Sequence, residues 1–255
     1  MNKLLSLKKL RKKLLAGKPT VGSWMQIPSP EIAEIMGSSN FDWVAVDMEH
    51  GSIGISSLAN IFRSLELGNT LPLVRLAEGN ERYCARILDA GAAGVIVPMI
   101  DTAEQLKRIK SACCWPPSGR RGVGFSRTNL YGVNFDNYIQ EAQNPLLVAM
   151  IENVSALKNL EDILETDGLD AIMVGPYDLS ASLGITGDFE NKIFKKTLRI
   201  IKDLCEKKNV PMGVHIVKPE KKELSLKIKQ GYQFIAYAID SVFLSESIID
   251  LDINK

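Results

Sequence analysis

Histidine and cysteine are scarce in this chain, and the scarcity narrows its chemistry. There are two histidines and four cysteines in 255 residues. Cys84, Cys113, Cys114 and Cys205 form no C-x-x-C pair, so neither a zinc finger nor a disulfide framework is expected. Buried thiols in a reducing cytoplasm fit better, and the expected localisation is cytoplasmic. Net charge is nearly absent as well. A formal value of +1 gives no global attraction to nucleic acid. No apolar run approaches the roughly 18 residues of a membrane span, so no transmembrane helix and no membrane partner are expected. A G-x-G-x-x-G is missing after the first apolar run, which weakens an open dinucleotide-binding sheet. No low-complexity linker divides the chain, so a single domain is expected.

Basic charge is concentrated in one place. Seven Lys/Arg fall in the first 18 residues, with Leu4, Leu7, Leu14 and Leu15 at roughly helical spacing. The segment has no continuous apolar core and no small-residue cleavage site, so it does not read as a secretory signal. Residues 1–18 are expected to form a basic helix that packs on the domain and ends at Gly17-Lys18-Pro19. A presequence or a membrane-surface helix is the alternative.

From residue 19 onward two textures alternate. Eight short apolar runs recur: TVGSWMQI (20–27), WVAVDME (43–49), LPLVRL (71–76), GVIVPMI (94–100), LLVAMIE (146–152), LDAIMVG (169–175), PMGVHI (211–216) and FIAYAID (234–240). Segments with helical spacing lie between them, among them PEIAEIMGSS, Ile55–Leu67, ERYCARILDAG, VSALKNLEDILET and KIFKKTLRIIKDLCEKK. Pro30 after Ser29 marks a helix start, and Gly68, Gly91 and Gly231 mark helix stops. Continuous rather than alternating apolar strands are buried on both faces, as in a parallel sheet. Eight strand-then-helix units in about 250 residues predict an α/β fold, a closed (β/α)8 TIM barrel, over residues 19–255. Cys114–Pro145 reads as one long irregular loop, a length that is usually functional.

Such barrels carry their active sites at the C-terminal ends of the strands. Burying unpaired charge is costly, yet WVAVDMEHG (43–51) sets Asp47, Glu49 and His50 at the end of an apolar run. The same end of other runs carries Gln26, Arg75, Glu152, Asp178 in GPYD, His215 and Asp240. Any strand needs a polar exit, but the combination points to one shared mouth. Glu152 and Asp178 end consecutive strands and make an oxygen site suited to Mg²⁺ or Mn²⁺ rather than zinc. Arg75 is a permanently charged fork for a carboxylate or an enolate oxygen. His50 can take and give a proton near neutrality, and either Asp47 or Glu49 is available to orient it. Metal, cation and base around a small anion are the apparatus for enolising an α-keto acid. His215 reads more readily as a partly buried histidine bonded to a neighbour. The basic, glycine-rich stretch Gly119–Gly124 reads either as an anion cradle or as a surface turn. No run ends in lysine, which argues against a Schiff base.

The order and spacing of several words resemble the HpcH/HpaI family of class II pyruvate aldolases, whose type member cleaves 4-hydroxy-2-oxo-heptanedioate. These words are GSW (22–24), VAVDMEHG (44–51), LVRL (73–76), ILDAGAAGVIVPMI (87–100), RRGVG (120–124), IEN (151–153) and GPYDLS (175–180). The similarity runs from about Leu14 to at least Asp240. It implies a barrel assembled as a homohexamer, a dimer of trimers that exchange the last helix. It implies a divalent metal ion held by Glu152 and Asp178, with Mg²⁺ or Mn²⁺ expected and Co²⁺ a further candidate. Arg75 matches the family's catalytic arginine, and His50 its histidine, paired with an aspartate that matches Asp89. Backbone amides around Tyr177 and Asp178 would hold the pyruvate carboxylate, and Trp24 matches a tryptophan near the active site. Three departures bear on the aldehyde pocket rather than on the metal. Met150 stands where the type member has Gln, Tyr177 where Ala is frequent, and Ser52-Ile53-Gly54 where a Pro is common.

The expected function is metal-dependent cleavage of a small 4-hydroxy-2-oxo acid into pyruvate and an aldehyde through a metal-stabilised enolate. One rival is another enolate-forming lyase or condensing enzyme, such as a CoA-ester lyase, which would need an extended basic groove. The other is a non-catalytic barrel that binds a keto acid.

Overall fold

The computed structural model describes residues 1–249, so residues 250–255 of the expected barrel segment lie outside the described part. Eight parallel strands close on themselves in chain order. They are β1 Thr20–Met25, β2 Trp43–Asp47, β3 Leu71–Arg75, β4 Gly94–Val97, β5 Leu146–Ile151, β6 Ala171–Val174, β7 Met212–Ile216 and β8 Phe234–Ile239. Each of the eight apolar runs contains one of them, and the fold is a TIM barrel. The helices are α1 Lys3–Leu15, α2 Pro30–Gly37, α3 Ile55–Leu67, α4 Glu81–Ala90, α5 Ala103–Cys113, α6 Phe135–Ala142, α7 Leu160–Leu164, α8 Pro176–Ser182, α9 Lys192–Lys208, α10 Lys221–Lys229 and α11 Asp240–Ile249. Among the described residues no helix is long and apolar enough to cross a membrane.

The strand pleat sorts side chains into two shells. Outward residues such as Val44, Val46, Val74, Ile151 and Val214 join the helices in one core. Inward residues such as Trp43, Leu73, Val148, Met173 and Phe234 fill the barrel itself. Trp43 stacks on Phe234 with ring centroids 4.3 Å apart. Gly22 makes room for this pair, because a Cβ there would lie 2.0 Å from the Trp43 ring. Helix α1 closes the N-terminal end of the barrel. Leu7, Leu10 and Leu14 form one helical face and belong to the inner core. Its polar side grips the entries to the strands. Arg11 pairs with Asp170 at 2.6 Å and donates to the carbonyls of Asn144 and Pro145, and Lys13 pairs with Asp42.

Three elements differ from the sequence reading. The expected loop 114–145 holds α6 and a 3-10 turn, Arg127–Gly132. The segment from Val154 opens as a 3-10 turn, Val154–Asn159, before α7. GPYDLS contains the seven-residue helix α8, with Pro176 in its first turn. Elements of two turns or fewer give too little repetition for an apolar period to stand out.

The stretch Gly119–Gly124 is a packed turn rather than an open anion cradle. Arg121 is buried, donates to the Cys113 carbonyl at 3.0 Å and to the Tyr138 hydroxyl at 2.6 Å, and lies over the Trp115 ring. Arg120 pairs with Glu81. All four cysteines are buried and free.

Candidate active site

Inward parity persists past the strand ends, and this gathers polar groups at the C-terminal mouth. The centre is an ion pair between neighbouring strands, where Asp47 on β2 is in register with Arg75 on β3. Arg75 donates from Nε and Nη2 to the two Asp47 oxygens at 2.9 and 2.7 Å, a bidentate fork. Gln26 Nε2 donates to Asp47 at 2.9 Å, and the backbone amides of Glu49 and His50 donate to it at 3.1 and 3.2 Å. Burial pushes the Asp47 carboxyl up, but the hydrogen bonds and charge of Arg75 outweigh it, and the net shift is downward. Asp47 is therefore a fully buried, saturated carboxylate. Its side chain holds Arg75 and reaches His50 only through the backbone, so its orienting effect falls on the arginine and the turn rather than on the imidazole.

Arg75 lies over the face of Trp24, with its guanidinium carbon 4.5 Å from the ring centroid. Its third nitrogen, Nη1, is 3.3 Å from Glu49. Glu49 in turn sits 3.8 Å from His50 Nε2. His50 belongs to the turn after β2 and is exposed, with its side chain 60% accessible.

Glu152 follows β5 and is buried. Met99 donates its amide to Glu152 Oε2 at 2.8 Å, from a left-handed backbone (φ 52°) that a side-chain-bearing residue seldom adopts. Gly175 leaves the space for the other oxygen, since a Cβ there would come within 2.6 Å of Glu152 Oε1. Burial, with the charges of Glu49 and Asp178, pushes Glu152 up to about 7. Asp178 lies in the first turn of α8 and is exposed. Tyr177 beside it is 53% exposed and meets Phe189 edge-on at 5.0 Å.

Glu49, Glu152 and Asp178 thus crowd their charges together with only Arg75 to offset them. A divalent cation fits that imbalance. Among the described residues no group of three or more His, Cys, Asp or Glu side chains is arranged to hold a metal ion. The donor set is accordingly two carboxylates, Glu152 and Asp178, which suits a cation that keeps several water or substrate oxygens, as Mg²⁺ does.

Asp89 is not brought to His50 within the chain. It lies near the end of α4, beside the turn that enters β4, and its Oδ1 is 3.4 Å from Arg121 Nη2. Helices run opposite to strands in this fold, so Asp89 and His50 occupy opposite ends of one barrel. Trp24 forms part of the site floor, and His215 on β7 meets it edge-on at 5.9 Å. Gln26 and Met99 are contributors that residue-type reasoning gave no role. Gln26 is visible as the inward position two residues beyond Trp24; nothing in the sequence marks the Met99 amide.

Residues 20–246 match the HpcH/HpaI aldolase/citrate lyase family. The chain is 35% identical over 238 residues to the hydroxypyruvate/pyruvate aldolase of Roseobacter denitrificans, covering 92% of this chain and 91% of that protein. It is 34% identical over 255 residues to the 2-keto-3-deoxy-L-rhamnonate aldolase of Klebsiella pneumoniae subsp. pneumoniae, covering 97% and 92%. The crystal structure of an HpcH/HpaI aldolase/citrate lyase family protein from Burkholderia cenocepacia matches with a TM-score of 0.88 at 26% identity, over 94% of this chain and 96% of that one.

Proposed function

This chain belongs to the HpcH/HpaI aldolase/citrate lyase family and is a carbon–carbon lyase of the aldolase type, and we propose that it reversibly splits a 4-hydroxy-2-oxo acid into pyruvate and an aldehyde. The names of the two relatives above rest on hydroxypyruvate and on a 2-keto-3-deoxy sugar acid, not on heptanedioate. The substrate is therefore assigned as a class.

The observation that carries this reading is the bidentate Asp47–Arg75 pair beside the crowded acids Glu49, Glu152 and Asp178. Glu152 and Asp178 would hold a divalent cation, Mg²⁺ or Mn²⁺, which supplies Lewis acidity for the 2-oxo and carboxylate oxygens when bound. Backbone amides around Tyr177 and Asp178 receive the carboxylate. Arg75, fixed by Asp47 and laid on Trp24, presents its remaining N–H groups to the 2-oxo oxygen. In cleavage, His50 removes the C4 hydroxyl proton, the C3–C4 bond breaks, and C4 leaves as the aldehyde carbonyl. The bonding pair passes to the pyruvyl fragment as its enolate, with charge on the C2 oxygen. Protonation at C3 completes pyruvate. Glu49 steadies the imidazolium of His50. Asp89 serves His50 across a protomer boundary in a homohexamer, because the two residues of one chain are too far apart to meet.

The test is pyruvate release from 4-hydroxy-2-oxo acids of several chain lengths, with Mg²⁺ or Mn²⁺ and with a chelator. Activity that stops with the chelator and returns with the cation is expected. Undiminished activity in the chelator would overturn the metal role, and no activity on any such acid would overturn the reaction.

A further inference from the structure

His215 is a polar residue that the proposed reaction does not use. It sits at an inward position of β7, in register with Ala236 on β8. The small Ala236 leaves the imidazole free to reach across β8 to Trp24 on β1, where the rings meet edge-on. The residue remains partly accessible, whereas Trp24 is fully covered. Two polar atoms of this pair, His215 Nε2 and Trp24 Nε1, are buried without a hydrogen-bond partner. Native interiors pair nearly all such atoms, so two orphans side by side call for an explanation. Burial and the charge of Arg75 push the His215 imidazole down to about 4, so it is neutral at pH 7. The pair adjoins the reacting centre, because Arg75 lies over the same Trp24 ring.

We propose that His215 and Trp24 form a neutral hydrogen-bonding floor that recognises a hydroxyl group on the aldehyde half of the substrate, making His215 a specificity-determining residue. The inference rests on the aldolase reading above. The oxygens of the 2-oxo acid head are matched by Arg75, the cation ligands and backbone amides. What is left to recognise is the substituent that departs with the aldehyde. An indole N–H and a neutral imidazole suit a hydroxyl, which both donates and accepts. They offer no charge to a second carboxylate, which the neighbouring Glu49, Glu152 and Asp178 would repel. The favoured substrate class is accordingly a 4-hydroxy-2-oxo acid bearing a further hydroxyl, released as a neutral hydroxyaldehyde. A site built to hydrogen-bond a hydroxyl discriminates strongly against analogues without it, because its polar groups are then left unpaired.

The experiment compares wild type, His215→Leu and His215→Gln in the condensation direction, with pyruvate, Mg²⁺ or Mn²⁺, and either glycolaldehyde or propanal. Wild-type turnover with either aldehyde upholds the aldolase reading, and its absence with both would sink that reading rather than this one. Wild type is expected to prefer glycolaldehyde by at least about 10-fold in kcat/KM. His215→Leu is expected to lose most of that preference while its Tm rises, because an unpaired buried polar group is replaced by an apolar one. His215→Gln, which keeps a donor and an acceptor, is expected to recover part of the preference. A merely structural histidine would behave differently: His215→Leu would lower Tm and slow both aldehydes alike. That outcome, or a wild type that does not distinguish the aldehydes, overturns the proposal.

Discussion

Asp47 has four donors around one carboxylate and no contact with solvent, so its function is to hold Arg75. Two substitutions separate charge from volume. Asp47→Asn keeps the shape but breaks the fork, and kcat/KM is expected to fall on the order of 100-fold through misplacement of the guanidinium. Asp47→Ala strands a buried arginine and should also lose about 3–5 kcal/mol of stability, read from denaturant unfolding. Near-normal rates in both variants would show that Arg75 needs no such anchor. His215 makes a separate prediction about pH. Its pKa is about 4 in the folded chain against 6.5 unfolded. Between these values the unfolded chain binds the proton and the folded chain does not. Stability present above pH 6.5 is therefore lost as pH falls toward 4. The unfolding midpoint of wild type should drop more steeply from pH 7 to pH 4.5 than that of His215→Leu, and parallel profiles would contradict the assignment. At this scale residue type and strand-end position made Arg75, Glu152, Asp47 and Glu49 visible as a group in the sequence. Which acid holds the arginine was not visible, because it depends on how the chain turns after β2. Asp89 was visible only through the family resemblance, since an acid near the end of α4 has no local mark.

Elements with a long or continuous apolar pattern were legible, and short ones were not. All eight strands lie within uninterrupted apolar runs, because a strand covered on both faces has no polar face to show. Helices α3 and α9 have the residue bounds that their spacing indicates. Helices α6 and α8, eight and seven residues long, fall below the length at which spacing is informative. Helix α1 carries the clearest prediction at this scale. It plugs the end of the barrel opposite the mouth, and Leu10 is 3% exposed. Leu10→Ala is expected to cost about 2–4 kcal/mol in denaturant unfolding while kcat stays within a factor of two or so. A comparable loss of kcat in the folded variant would mean that the plug and the mouth are coupled.

On the scale of the whole molecule, one closed sheet delivers residues from distant parts of the chain to one rim and separates His50 from Asp89 by the barrel's height. If that pair forms between protomers, a complementation experiment reveals it. His50→Ala and Asp89→Ala should each be nearly inactive alone. Mixed oligomers formed by dissociating and reassembling the two variants together should regain activity, because some sites then contain both native residues. Mixing without recovery, or a fully active Asp89→Ala, would remove Asp89 from the reaction. The central claim is that Glu152 and Asp178 share one divalent cation on which turnover depends. The most direct measurement is Mn²⁺ binding by titration, alongside pyruvate release, on chelator-treated wild type, Glu152→Gln and Asp178→Asn. The account predicts one Mn²⁺ per wild-type chain, activity proportional to occupancy, and loss of both in folded variants with an unchanged Tm. Unchanged stoichiometric Mn²⁺ binding in both variants, or full turnover by the metal-free enzyme, would contradict it.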